Sequence, residues 1–130
     1  MKKYNITAYI FSGLPGVGKT SLAQMLCNHT RATYIRIDTI EYFFKKNLSD
    51  KIIKQGYEMS YLLARDNLSI ENSVVIDCCN PAHESREMLN GLSSIDGAQV
   101  INIEIICSNR SHHKQQVDLR YQSNKDKYPS

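Results

Sequence analysis

The sequence predicts an α/β fold of three layers, α/β/α, built around a doubly wound parallel sheet. Two patterns carry this. Short β-branched or apolar runs alternate with helical periodicity along the chain, as βαβ units require. A glycine-rich turn at residues 13–20 joins the first such run to the first helical pattern. The 130 residues, 42% apolar and 22% charged, suit one domain with a single core, here residues 1–121, followed by a polar tail over 122–130.

Residues 6–12 (Ile-Thr-Ala-Tyr-Ile-Phe-Ser) form the first expected strand. A helix should open at about Gly18, with Leu22, Met25 and Leu26 on one face. Residues 33–37 are a short second strand, and Ile40, Phe43 and Phe44 follow at helical spacing. A longer helix carries the stripe Ile53, Tyr57, Tyr61, Ala64 and Leu68. Residues 73–76 (Ser-Val-Val-Ile) have the character of a buried parallel strand. Asn80-Pro81 then supplies a cap and a first helical proline, and Asn90-Gly91 a stop. Residues 99–106 make the fourth strand, and residues 111–121 are expected to be helical.

The turn reads Gly13-Leu14-Pro15-Gly16-Val17-Gly18-Lys19-Thr20, a full match to GxxxxGK[ST] between a strand and a helix. Glycines allow the loop to wrap close enough for backbone N–H groups to face phosphate oxygens. The helix opening at Gly18 adds the positive end of its dipole. The pattern assigns nucleotide binding to Gly13, Pro15, Gly16, Val17, Gly18, Lys19, Thr20 and Ser21, with Lys19 on the β- and γ-phosphates and the Thr20 hydroxyl on Mg2+. The fold class is thereby that of a P-loop NTPase or kinase.

Ligands of open parallel sheets sit outside the carboxyl ends of the strands. The second strand ends at Asp38, the third at Asp77 and the fourth at Ser108-Asn109-Arg110. Asp77, after Val74-Val75-Ile76, suits a carboxylate that organises magnesium, or simply a turn or cap. Asp38 suits the general base of a kinase, orienting an acceptor hydroxyl and taking its proton. It also suits an N-cap, with Glu41 three residues on completing a capping box. His112-His113 have no third ligand at metal-binding spacing, and Cys27, Cys78, Cys79 and Cys107 read as reduced, buried small hydrophobes.

Several classes are excluded. No apolar run is long enough to span a bilayer, and no cleavage site precedes the glycines, so a cytoplasmic protein with no membrane partner is expected. A net charge of +3 does not argue for nucleic acid. Asn124-Lys125-Asp126 falls one residue short of the guanine motif, and Cys78-Cys79-Asn80 after Asp77 does not match Asp-x-x-Gly, so ATP rather than GTP is expected.

With these residues in place, the chain resembles the small AAA-type P-loop kinases that group with polynucleotide kinase, zeta toxin and chloramphenicol phosphotransferase. The likeness rests on residues 13–20, on Arg36-Ile37-Asp38-Thr39-Ile40, and on Asp77-Cys78-Cys79-Asn80-Pro81 followed by Arg86. Ala64-Arg65-Asp66-Asn67-Leu68 and the Cys107-Ser108-Asn109 turn into a helix ending at Arg120 are also similar, so it runs from about residue 6 to 121. The resemblance implies ATP as phosphoryl donor, Asp38 in the acceptor-activating position, Arg86 towards the acceptor and Arg120 as a catalytic residue in or beside a mobile lid. Members of that group continue with the rest of the lid, another strand and a closing helix, so the fourth strand or its neighbour is expected to expose an edge.

Two functions follow. One is transfer of the γ-phosphoryl of MgATP to a hydroxyl of a small molecule or nucleotide, the acceptor pocket being built over residues 39–70. The other is an ATP-dependent switch, weak ATPase or ATP-binding module acting through a partner, in which Asp38 is only a cap. Tyr42, Phe43, Phe44, Tyr57 and Tyr61 are read as core rather than as a stacking platform.

Overall fold

A computed structural model describes residues 6–13, 18–47, 53–79, 82–107 and 117–123. Its centre is a five-stranded sheet of order β2-β3-β1-β4-β5, formed by β1 (Ile6–Ser12), β2 (Thr33–Arg36), β3 (Val74–Asp77), β4 (Ala98–Cys107) and β5 (Val117–Ser123). The first four strands are parallel. β1 and β3 are the central strands, and their near-continuous burial explains why they read as unbroken apolar runs.

Side-chain alternation splits the core into two layers. Ile6, Ala8 and Ile10 of β1 and Val74 and Ile76 of β3 face Tyr57, Ala64 and Leu68 of α3 (Ile53–Ser69) and Leu89 of α4 (His83–Asn90), with Ile37 of α2 (Ile37–Asn47) at the same layer. Phe11, Val75 and Ile105 face Ala23 of α1 (Lys19–Thr30) on the other side. Helices on both faces make the expected three layers. No helix among the described residues is long and apolar enough to cross a membrane.

The expectations for the last segment of the chain and for Met25 are corrected. The helix read into residues 111–121 is absent over its second half, which is the strand β5, antiparallel to β4. The reason is visible in Val117-Asp118-Leu119-Arg120-Tyr121-Gln122, which alternates apolar and polar with the period of two that belongs to a strand. β5 also runs past the 121 boundary to Ser123, and it pairs with β4, so that of the two edges expected to be exposed it is the neighbour's, on β5, that ends the sheet among the described residues. Met25 is 65% exposed, whereas Leu22 and Leu26 pack on the core as expected. The stop at Asn90-Gly91 holds: α4 ends at Asn90 with Gly91 as its C-cap, and the chain goes on as a 3-10 turn, Gly91–Ser94. Asn80-Pro81 and His112-His113 lie outside the described residues.

Candidate nucleotide site

β1 delivers the chain to Gly13, whose φ of +145° favours glycine; a Cβ there would lie 2.3 Å from the Ile105 carbonyl oxygen of β4. Its N–H donates to the Cys79 carbonyl at 2.7 Å, and the Cys78 N–H donates to Phe11 O at 2.8 Å. The start of the glycine loop is thus stitched to the segment leaving β3. Gly18 caps α1 with a left-handed φ of +87°, and Ser21 is exposed in the first turn of that helix. Pro15, Gly16 and Val17 lie outside the described residues.

The register places Asp77 between Phe11 of β1 and Arg36 of β2, at the carboxyl ends of three parallel strands. Its carboxylate is buried, and three groups converge on it. Lys19 Nζ donates to Oδ1 as a buried ion pair. Thr20 Oγ1 donates to Oδ2 at 3.1 Å, and the Tyr34 hydroxyl donates to the same oxygen at 2.6 Å. Tyr34 comes from β2, on the face that carries Asp77 across the sheet. Burial first, then the hydrogen bond to Asp77 and its negative charge, push the Tyr34 phenol well above its ordinary value, so it stays a donor. A threonine hydroxyl and a carboxylate facing each other are hard oxygen donors of the kind Mg2+ takes, so the residues fit that ion.

Asp38 lies in the first turn of α2, one residue inside its start, and its carboxylate caps no backbone N–H among the described residues. The capping-box alternative therefore loses its geometric basis. Instead both carboxylate oxygens lie 3.7 Å from Cys79 Sγ, and Arg36 Nη2 approaches Oδ2 at 3.7 Å. Burial, then the Asp38 charge, push the Cys79 thiol up from its ordinary value and keep it an S–H donor. Cys79 is thus more than a buried hydrophobe, although Cys78 is fully buried as expected. The side chain of Asp38 is 42% exposed, open to an incoming molecule.

Arg120 is the sequence-predicted residue that the fold moves. It sits in the edge strand β5, paired with Glu104 of β4, rather than in a lid helix. Glu104 is itself level with Ser12 at the end of β1, so Arg120 is two strand spacings, about 10 Å, to the side of the loop's root. Two site residues escaped the sequence reading as site residues: Tyr34 and Cys79. Strand alternation could have found Tyr34, which precedes Arg36 by two on the side facing Asp77. Among the described residues no group of three or more His, Cys, Asp or Glu side chains is arranged to hold a metal.

The comparisons agree with this geometry. The family model described as "ATPase family associated with various cellular activities (AAA)" matches residues 9–120. A protein from Chloroflexus aurantiacus J-10-fl, provisionally named a kinase, superposes with a TM-score of 0.62 at 21% identity, over 75% of this chain and 57% of its own. APE1195 superposes with a TM-score of 0.62 at 17% identity, over 80% of this chain and 62% of its own. This chain therefore spans about three fifths of the length of those structures, and at such identities they establish a shared fold. No curated protein matches the chain.

Proposed function

The chain belongs to the AAA family of ATPases, and on that footing we propose that it is a cytoplasmic kinase, moving the γ-phosphoryl group of MgATP to a hydroxyl of a small molecule or nucleotide. One observation carries this reading. Asp38 touches Cys79, and the carbonyl of that same Cys79 receives the N–H of Gly13, so a part-exposed carboxylate stands beside the root of the phosphate loop. Nucleotide hydrolysis alone gives no reason for a carboxylate there; an acceptor hydroxyl that must be aligned and deprotonated does.

The residues divide the work. Backbone N–H groups at the start of α1 face the phosphates, and Lys19 exchanges Asp77 for the β- and γ-phosphate oxygens. Thr20 and Asp77 would hold Mg2+, which when bound neutralises charge on the phosphate oxygens. Tyr34 keeps the Asp77 carboxylate turned towards Thr20. The acceptor oxygen attacks the γ-phosphorus, its proton passes to Asp38, and the bond from phosphorus to the β-γ bridging oxygen breaks, releasing ADP with the electron pair. Arg120, on the neighbouring sheet edge, is assigned to the developing charge on the transferred group.

Asp38→Asn tests the reading. Transfer is expected to fall about a hundred- to ten-thousandfold with ATP affinity unchanged; equal turnover in the variant removes Asp38 from the mechanism. Membership of an ATPase family supports a second reading, a switch or weak ATPase acting through a partner, under which hydrolysis without any acceptor is unaffected by the same substitution.

A further inference from the structure

β2 and β5 end the sheet among the described residues, and the two edges differ. β2 has four residues, whereas β5 has seven, with neither proline nor glycine among them. A long edge strand offers its outward backbone donors and acceptors to another strand, and proteins blunt such edges with proline, bulges or charges of one sign. β5 has no such guard in its sequence. Its two charges, Asp118 and Arg120, are opposite in sign and stand two residues apart, hence on one face of the sheet. Between them is Leu119, with Val117 and Tyr121 two residues away on either side. The register sets Leu119 and Tyr121 level with Ile105 and Ile103 of β4, which belong to the core layer on the α1 side. An apolar row and a charged pair therefore both reach the last strand of the sheet.

We propose that β5 is the edge through which two copies of this chain pair, antiparallel about a two-fold axis at Leu119, so that their sheets join into one. The pairing rules restrict the register. Alternate residues of β5 turn their N–H and C=O towards β4, so those that face outward are all odd or all even, and only residues of equal parity can stand opposite each other. The axis must then pass through a residue and not between two. At Leu119 it sets Asp118 opposite Arg120 of the second copy, and Arg120 opposite Asp118. It also sets Leu119 opposite Leu119 and Val117 opposite Tyr121. Moved to Asp118 or to Arg120, it brings like charges face to face. Moved to Tyr121, it leaves Arg120 opposite Gln122 and carries Asp118 past the end of the strand. Opposite charges and apolar pairs directly across a ladder stabilise it, and like charges destabilise it, so charge selects the axis at Leu119. The same strand serves both copies, so the contact is isologous and closes as a dimer.

The test reads mass and not activity, so it stands apart from the kinase reading, in which Arg120 has its own part. Sedimentation equilibrium of the full chain over a concentration series should show monomer and dimer and no larger species. Asp118→Arg and Arg120→Asp each set like charges opposite one another at both ends of the ladder, and each should weaken the dimer at least about tenfold. Two restorations are specific to the axis at Leu119. The chain carrying both substitutions again has opposite charges across the axis. An equimolar mixture of the two single variants re-forms both pairs in a heterodimer. Each should return to within about threefold of wild type, which also separates a lost interface from a lost fold. The proposal is overturned if the wild type stays monomeric up to about 1 mM. It is equally overturned if either single variant dimerises as tightly as wild type, if the mixture fails to dimerise, or if open-ended assemblies form in place of a dimer.

Discussion

Two carboxylates define the site from opposite sides, and their surroundings differ sharply. Asp77 is buried, receives bonds from Lys19, Thr20 and Tyr34, and sits in the middle of a sheet fixed by backbone register on both sides. Asp38 is 42% exposed, among the described residues meets only longer contacts at 3.7 Å, and stands on the first turn of a helix. The phosphate side is a rigid, prepaired cluster in which each charge has a partner waiting to be exchanged. The side we propose for the acceptor, around Asp38, is open and loosely held. In a phosphoryl-transfer enzyme the common donor calls for a fixed cradle, and the acceptor pocket is where specificity is adjusted.

That contrast can be broken by stability measurements. Asp77→Ala leaves the Lys19 ammonium buried without its partner and should cost about 3–5 kcal/mol in denaturant unfolding. Asp38→Ala removes a half-solvated group and should stay within about 0.5 kcal/mol. Similar losses for the two would show that Asp38 is as structural as Asp77.

Tyr34→Phe sharpens the comparison within the phosphate side. It deletes one hydrogen bond to Asp77 and keeps the ring, so about 1–2 kcal/mol of stability should go. Thr20→Val should act on magnesium dependence more than on stability, since Thr20 is only partly buried.

The smallest effect expected is at Glu41, read through pH. Burial, then the Asp38 charge, raise its carboxyl above its ordinary value of 4.5, partly offset by Lys45. The folded state then binds the proton more tightly than the unfolded state, so stability falls as pH rises from about 4.5 through the raised folded value. The cost is absent below that window and complete above it. Glu41→Gln should therefore be slightly more stable than wild type at neutral pH, and the advantage should vanish at about pH 4, as unfolding midpoints at the two pH values would show.

Legibility in the sequence followed the same divide. Lys19 and Thr20 are neighbours in one contiguous motif, and Asp77 closes a β-branched run, so spacing alone brought the phosphate side together. Tyr34 reaches Asp77 only across two paired strands, a relation set by register rather than by local pattern. The proposed acceptor side draws on α2 and the segment after β3, and a Glu three residues after an Asp has an equally good local meaning as a cap. Gly56 gave no signal in the sequence, because its role is the room it leaves for Glu41. Beyond the site, the four parallel strands were readable from their apolar runs. β5 was not, since its alternation over residues 117–122 is short and lies in a polar surround, and Arg120 moves with it.

We propose above all that Lys19, Thr20 and Asp77 form one site for ATP with magnesium. Calorimetric titration of ATP into wild type and Asp77→Asn, each with and without magnesium, tests it most directly, because asparagine keeps the shape and loses the charge. Magnesium should tighten ATP binding to wild type, and in Asp77→Asn that gain should disappear while magnesium-free ATP binds as well as before or better, Lys19 having been released from its partner. A magnesium gain that survives in Asp77→Asn, or a wild type that binds ATP equally well without the metal, would contradict it.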